Sequence, residues 1–223
     1  AVQVTVPDPL SGAPRQLPFT TAALAVVLRL SAYGASQAAL LPLALHQAVH
    51  EQRFTALGSL FLMSASSVGE ALAYGMHNSV VCAEDVPRFG TGIDRPALQA
   101  TFMGTQQVEL LQAMCEGWPR GPVDADLYTP LKGELPVLLL SGSADPVTPP
   151  AQARLAALQL PHAVQHVLPD QGHGQLLQPC MDKVMGDFLH LAAVAPAVRQ
   201  LDASCLQAIK PAPFALGAAG PGP

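Results

Sequence analysis

The sequence predicts an α/β protein in which a mostly helical front part precedes a small sheet. Apolar residues recur at helical spacing from Ala22 onward, and short helical patterns follow one another to about residue 118. Two apolar runs, Val137–Leu140 and Ala163–Leu168, are typical of buried strands, and a helical pattern at about Pro150–Leu158 lies between them. These two strands are few for a sheet that must be stable by itself.

Composition indicates a globular chain and argues against nucleic-acid binding. Half of the 223 residues are hydrophobic and 12% are charged, which is typical of a chain that buries a core. The net charge of -5 provides no basic patch for a phosphate backbone. The most apolar stretch, 19–45, contains Arg29 and Pro42, so we predict buried or cap helices there and no membrane span.

The front part begins with an extended arm and continues as short helices. Alternation in residues 1–16 predicts a strand or arm that ends in a turn at Pro7–Gly12. Thr20 or Thr21 can cap a helix that begins near Ala22. Further helices are predicted at these positions: Ser36–Glu51, Arg53–Ser64, Ser67–Met76, one or two within 91–118, and Gln178–Ala193.

Each predicted strand of the sheet is followed by a loop that carries a side chain suited to acid–base catalysis. Asp145 follows the strand that ends near Leu140, and His173 follows the strand that ends at Leu168, with glycines on both sides of it. A carboxylate orients and stabilises an imidazole, and the imidazole moves protons for a nucleophile. The two loops therefore predict a catalytic carboxylate–imidazole pair.

The segment LPVLLLSGSADPVTPP…AVQHVLPDQGHG resembles the C-terminal part of an α/β-hydrolase. It is especially similar to the tripeptidyl aminopeptidase and proline iminopeptidase group of serine peptidases, the TAP-like proteins. YGASQAALLPLALHQAV, GMHNSVVCAEDVPRF, CEGWP and LDASCLQAIKPAPF resemble the cap helices and later cysteine segments of that group. The resemblance implies that Asp145 is the carboxylate of a Ser-Asp-His triad, that His173 is its general base, and that no cofactor is needed.

The resemblance also implies a domain organisation. Residues 1–120 are expected to form a helical cap, or lid, with an N-terminal arm. Residues 121–210 are expected to form the C-terminal part of the α/β-hydrolase core. Residues 211–223 are predicted to be a loose tail because they are rich in Pro, Gly and Ala.

The nucleophile of the triad is not evident in this sequence. A hydrolase serine sits in a G-x-S-x-G elbow after a buried strand, and the nearest string is GASQA around Ser36. Arg29 and Ser31 interrupt the strand that such an elbow needs, and the resemblance places this segment in the cap. We therefore expect a C-terminal portion of an exported hydrolase, inactive by itself, whose partner is the missing N-terminal half of the core.

Two other hypotheses stay open. The chain could be a complete small esterase that uses Ser36, or a non-catalytic binding module that keeps the hydrolase shell. An activated serine would react with a fluorophosphonate probe in the first of these, and addition of the missing half would restore no activity in the second.

Glu84 and Asp85 are candidates for holding the free N-terminus of a peptide substrate. They follow a strand-like apolar run and Cys82, and in the resembled group acidic groups of the cap hold the substrate's ammonium. A solvated acidic turn is the other interpretation of the same two residues.

Four cysteines, none in a CxxC pair, allow three disulfide pairings or four free thiols. The resemblance implies the pairing that is local in sequence, Cys82–Cys115 and Cys180–Cys205. Disulfides require an oxidising compartment, so we expect a secreted or periplasmic protein whose signal peptide lies on the missing part.

No metal site is predicted. His46 and His50 stand four residues apart with Glu51 next to them, a spacing that can bind a metal on a helix. The string HQAVHE lacks the zinc-protease pattern and a third ligand, so these residues are expected on an exposed face of the cap.

Overall fold

The computed structural model describes residues 1–217, apart from the side chains of Glu70 and Thr91. The chain begins with an antiparallel hairpin. Strand β1 (Val2–Pro7) pairs with β2 (Pro14–Phe19), with Val2 opposite Phe19. The Asp8 carboxylate accepts the N–H groups of Leu10 and Ser11 in the turn. The predicted strand is confirmed as β1. Strand β2 was missed because it contains two prolines, which an edge strand tolerates but which hide its alternating pattern.

Four helices follow the hairpin. They are α1 (Thr21–Ser31), α2 (Ala35–Ala38), α3 (Leu41–His50) and α4 (Thr55–Ala71). The predicted cap of α1 is Thr20, whose hydroxyl accepts the N–H of Ala23.

Two predicted helix boundaries in this part were wrong. The single helix predicted over Ser36–Glu51 is divided into α2 and α3, because Pro42 lies in the first turn of α3, where a proline starts a helix more easily than it continues one. The two helices predicted over Arg53–Ser64 and Ser67–Met76 are largely one helix, since serines alone do not end a helix whose apolar face is packed.

A chain of short helical pieces leads toward the sheet. Helix α5 (Tyr74–Val80) continues into a π-helical turn (Val81–Asp85) and a 3₁₀ turn (Val86–Arg88). The run SVV at 79–81, interpreted from the sequence as strand-like, is therefore helical. Helices α6 (Phe89–Gly92), α7 (Arg95–Gln99) and α8 (Gln106–Glu116) follow.

The second sheet is a parallel pair joined by a helix. Strand β3 (Val137–Gly142) and strand β4 (Ala163–Leu168) run parallel, with Val137 opposite Ala163 and Gly142 opposite Leu168. Helix α9 (Pro150–Ala156) connects them, and α10 (Met181–Leu191) follows β4. Two 3₁₀ turns, Ala195–Gln200 and Ser204–Ala208, come next.

Three apolar clusters hold these elements together. The first joins the hairpin to α1, α3 and α4 around Val6, Val27 and Leu57. The second packs α10 and the last 3₁₀ turn against the parallel sheet around Leu168. The third surrounds the Cys82–Cys115 disulfide.

Within residues 1–217, no single helix is both long and apolar enough to cross a membrane, although one bent pair, Thr55–Gly69 with Tyr74–Arg88, passes by length and composition. The predicted tail is described as far as Gly217. In it, Ala215 is buried and donates its N–H to the Ala39 carbonyl over 3.0 Å. Residues 218–223 of that tail lie outside the described residues.

Candidate catalytic site

Asp145 lies in the loop that leaves β3, and its carboxylate is surrounded by donors. Its side chain is 3% exposed. Oδ1 accepts the backbone N–H groups of Val147 and Thr148 over 2.8 and 3.0 Å. Oδ2 accepts the Thr148 hydroxyl over 3.0 Å. The tight turn after Asp145 folds these donors back onto it, as aspartates commonly do in turns.

These contacts keep Asp145 ionised. Burial by itself raises the pKa of a carboxyl group, and here it is the largest single influence. The N–H groups of Thr148 and Val147, with the side chains of His173 and Thr148, outweigh it together, so that the pKa of Asp145 lies below its ordinary value. The group is therefore a carboxylate at neutral pH and accepts hydrogen bonds only.

His173 meets that carboxylate. Its Nδ1 lies 3.0 Å from Oδ2 of Asp145 and 3.3 Å from the Thr148 hydroxyl. Because Oδ2 can only accept, the proton of the neutral imidazole is assigned to Nδ1. The side chain of His173 is 40% exposed, which leaves Nε2 with its lone pair free to accept a proton. This is the arrangement that a general base needs.

The parallel register brings the two loops together. Beyond the last paired residues, Ser143 donates its N–H to Leu168 O over 2.9 Å, and Ala144 donates to Gln171 O over 3.0 Å. The Ser143 hydroxyl accepts the N–H of Asp170 over 2.7 Å. The ladder between the strands thus continues into the loops and fixes their separation.

The histidine loop is also fixed from within. Gly174 has φ +87°, a conformation that glycine adopts at little cost. The buried Gln175 donates from Nε2 to Gly172 O over 2.7 Å and closes the turn.

The helical region contacts this loop through Tyr33, which follows α1. The N–H of His173 donates to Tyr33 O over 2.7 Å, and the two rings meet edge to face with centroids 5.4 Å apart. A cavity of about 400 Å³ lies beside this contact, between the segment 33–37 and the loop 171–174. The cavity is large enough for part of a peptide or ester substrate.

Ser36 lines that same cavity, but it does not sit in an elbow. It is an exposed residue in the short helix α2, and the segment before it, 22–30, belongs to helix α1. A nucleophile elbow needs a strand there, so the strand required by the esterase hypothesis is not formed. In the described part of the chain, no hydrogen bond joins Ser36 to His173.

Glu84 and Asp85 lie in the π-helical turn after α5. Glu84 is half-buried and its carbonyl accepts the Tyr128 hydroxyl, while Asp85 is exposed. Neither residue lines the cavities of the described structure that His173 lines, one beside Tyr33 and one beside Asp145. Turns of the π-helical type are frequent at functional sites.

Both predicted disulfides are formed. Cys82–Cys115 joins the π-helical turn to α8, and Cys180–Cys205 joins the start of α10 to the last 3₁₀ turn, with Cα atoms 5.2 and 6.5 Å apart. Cys180 has φ +69°, a left-handed backbone that is uncommon outside glycine.

The candidate metal residues lie on an exposed face of α3. His46 and His50 are exposed, and their rings pack together with centroids 4.7 Å apart. Among the described side chains, which do not include that of Glu70, no group of three or more histidines, cysteines or carboxylates comes together in a way that could hold a metal ion.

Three residues of the site were missed from the sequence. Thr148 could have been found, because a hydroxyl three residues after a loop aspartate is a common turn partner. Gln175 carried no signal, because glutamine is not one of the residue types typical of turns. Tyr33 carried none, since its role depends on a backbone contact with a distant part of the chain.

Comparison with known proteins identifies a family for part of the chain. Residues 100–205, which contain both Asp145 and His173, match the family model described as TAP-like protein, one of the abhydrolase families. The match begins inside the helical region, before the predicted domain boundary at 120. No curated protein and no solved structure matches the chain. Residues 100–205 of this chain therefore form a TAP-like C-terminal domain of the α/β-hydrolase type.

Proposed function

We propose that the chain supplies the carboxylate and the general base of a serine hydrolase that removes residues from peptide N-termini. The contact between Nδ1 of His173 and Oδ2 of Asp145, 3.0 Å long, carries the proposal. In the proposed role, Nε2 takes the proton of a serine hydroxyl and later returns it to the leaving amine, while Asp145 stabilises the imidazolium.

The serine and the oxyanion donors are proposed to come from another segment of the hydrolase core. Strand β3 pairs on one edge with β4 and has no partner on its other edge among residues 1–217. Val137–Leu140 are only half-buried, although strands of a parallel sheet are normally covered on both faces. Both features support the addition of further strands beside β3.

The amount of exposed surface supports the same proposal. The chain exposes 13,923 Å², whereas a compact monomer of 23.2 kDa is expected to expose roughly 9,700 Å². Leu176 and Leu177, directly after the histidine loop, are 67% and 100% exposed. Apolar surface of this kind beside a catalytic pair is typical of a face that another part of the protein covers.

The peptide specificity is proposed to reside in a cap formed by residues 1–120. Glu84 and Asp85 are proposed to hold the ammonium of the substrate's N-terminus once a substrate bridges the cap and residues 121–210. In the protein that carries the serine, Glu84→Gln should then reduce cleavage of an aminoacyl-naphthylamide while leaving hydrolysis of a simple ester unchanged. Equal kinetics of the two proteins on both substrates would remove Glu84 from the role.

One observation favours a second candidate, an esterase that uses Ser36. Ser36 and His173 line the same cavity of about 400 Å³, so both face the space that a small ester would occupy. The helical segment before Ser36 and the missing elbow glycine both weigh against activation of this serine.

Labelling with a fluorophosphonate probe separates these functions. The 223-residue chain and the longest protein that its gene encodes are treated in parallel, each as wild type, Ser36→Ala, His173→Gln and Asp145→Asn. The proposal expects an unlabelled short chain and a long protein that is labelled in the wild type and in Ser36→Ala but not in the other two variants. Labelling of the short chain that Ser36→Ala abolishes would establish the esterase instead. If the long protein is folded but is not labelled in any variant, the remaining interpretation is a non-catalytic binding module.

The two disulfides favour a location outside the cytosol. Both disulfides close on pairs that pack in apolar clusters, and such bonds persist in oxidising compartments. We therefore propose a secreted or periplasmic protein, and recovery of the disulfide-bonded form from the cytosolic fraction alone would contradict this location.

A further inference from the structure

The histidine loop is attached to the helical region at one backbone position. The N–H of His173 points to Tyr33 and donates to its carbonyl oxygen over 2.7 Å. The carbonyl can come so close because the preceding loop residue is Gly172, where an added Cβ would overlap the carbonyl of Tyr33. The loop thus depends on a contact with a segment that is far away in the sequence.

The side chain of Tyr33 makes a second contact with the same histidine. Its ring meets the imidazole at an interplanar angle of 69° with centroids 5.4 Å apart, the edge-to-face geometry that aromatic pairs favour. The imidazole therefore lies between Tyr33 and Asp145, which holds its Nδ1. Rotation of the imidazole away from Asp145 would lose both contacts.

Tyr33 itself is held by the helical region. Its N–H donates to Leu30 O over 3.2 Å at the end of α1, and Gly34 donates to Ser31 O. Tyr33 also lines a cavity of about 430 Å³ between α1 and α4. The position of Tyr33 is therefore set by helices that do not belong to the sheet with Asp145.

We propose that Tyr33 is a positioning residue that keeps the imidazole of His173 in the orientation and tautomer in which Nδ1 donates to Asp145. This inference rests on the proposed function, because it assigns Tyr33 a role in the acid–base pair. Tyr33 contacts the backbone N–H and the imidazole of His173, so its proposed role is exerted through His173.

The test uses the 223-residue chain labelled with ¹⁵N-histidine. The ring nitrogens of His173, assigned with His173→Gln, should show a protonated Nδ1 and an unprotonated Nε2 when the imidazole is neutral. Tyr33→Leu, which keeps apolar bulk, and Gly172→Ala, which displaces the carbonyl, should each shift these resonances toward those of a solvent-exposed histidine. Tyr33→Phe should give the wild-type spectrum, because the hydroxyl takes no part in the contact between the two rings.

The controls separate positioning from general damage. Tyr74→Leu removes an exposed tyrosine of α5 and should leave the His173 signals unchanged, and the exposed His190 is an internal reference in every variant. Nuclear Overhauser effects between the Tyr33 ring and His173 are expected in the wild type, and their absence would overturn the proposal whether or not the variants fold. A folded Tyr33→Leu variant with wild-type His173 resonances would overturn it as well.

The proposed function fails in a different way. If fluorophosphonate never labels the long protein, then the serine hydrolase assignment is wrong, while the spectra of this chain still report whether Tyr33 orients His173. If labelling occurs, Tyr33→Leu should slow it by about tenfold or more, since a displaced base loses much of its effect, and Tyr33→Phe should not. An unchanged labelling rate in Tyr33→Leu would contradict the positioning role.

Discussion

Gly142, the last residue of β3, lies directly against the carbonyl oxygen of Gln171, a residue of the histidine loop. A Cβ at position 142 would overlap the backbone oxygens of both Gln171 and Gly172. The close approach lets Ala144 donate its N–H to Gln171 O over 3.0 Å. The close approach of the loops that carry Asp145 and His173 therefore requires the absence of a side chain at position 142.

Gly142→Ala should destabilise the chain and separate the loops. Overpacking against atoms that cannot rotate away costs about 1–3 kcal/mol, and the free energy of unfolding measured with urea should fall by that amount. Gly186→Ala is the matched control, because an added Cβ meets nothing within 4 Å in helix α10. That variant should gain about 0.5–1 kcal/mol. Equal stabilities of the two variants would show that Gly142 is not confined.

Asp145→Asn should destabilise the chain most strongly near neutral pH. The amide of asparagine can accept fewer hydrogen bonds than the carboxylate, and its NH₂ group would face the N–H and hydroxyl donors of Val147 and Thr148. We therefore expect the free energy of unfolding to fall by about 1–3 kcal/mol. Asp126→Asn, at an exposed position in the loop before β3, is the control and should change little. A urea midpoint of Asp145→Asn equal to that of the wild type at pH 7 would contradict the buried network.

The Asp145 carboxylate should make the free energy of unfolding depend on pH in the acid range. The pKa of Asp145 is lowered in the fold, so the unfolded chain binds a proton more readily than the folded chain. Its contribution to stability is therefore complete above the unfolded pKa of about 3.9 and is lost as the pH falls through the folded value. Urea midpoints of the wild type should approach those of Asp145→Asn as the pH is lowered, and parallel curves would refute the linkage.

Local sequence patterns predicted the strands that precede Asp145 and His173. They did not predict contacts between segments that are distant in the sequence. Val137–Leu140 and Ala163–Leu168 are continuous apolar runs, and each was placed within two residues of its observed ends. The boundary between α2 and α3 depends on one proline, which a hydrophobic period does not reveal. The contact of Tyr33 with His173 depends on a backbone carbonyl, and no residue type announces where a carbonyl will point.

The disulfide between Cys180 and Cys205 should stabilise the end of the described chain. It closes a loop of 25 positions, for which the chain-entropy relation gives about 3–4 kcal/mol. The double variant Cys180→Ser/Cys205→Ser should lose stability of that order. Its amide hydrogens in 195–209 should exchange faster, because buried Leu201 and Leu206 pack there against α10.

The other disulfide provides the matched comparison. Cys82→Ser/Cys115→Ser removes a bond of similar loop length, 33 positions, but it lies in a different apolar cluster. Faster exchange should then appear in 81–88 and 106–116 and not in 195–209. Identical exchange patterns for the two double variants would show that the clusters do not unfold separately.

His166 should make the parallel sheet weaker below neutral pH. It lies in β4 opposite Leu140, and its Nε2 is buried without a hydrogen-bond partner. Burial lowers its pKa, so between the folded value and the ordinary 6.5 the unfolded chain binds more protons than the folded one. Stability should be complete above pH 6.5 and should fall as the pH is lowered through the folded pKa. His166→Val, which suits a strand, should flatten this part of the urea-midpoint curve. A His166→Val curve as steep as that of the wild type would place the pH dependence on other groups.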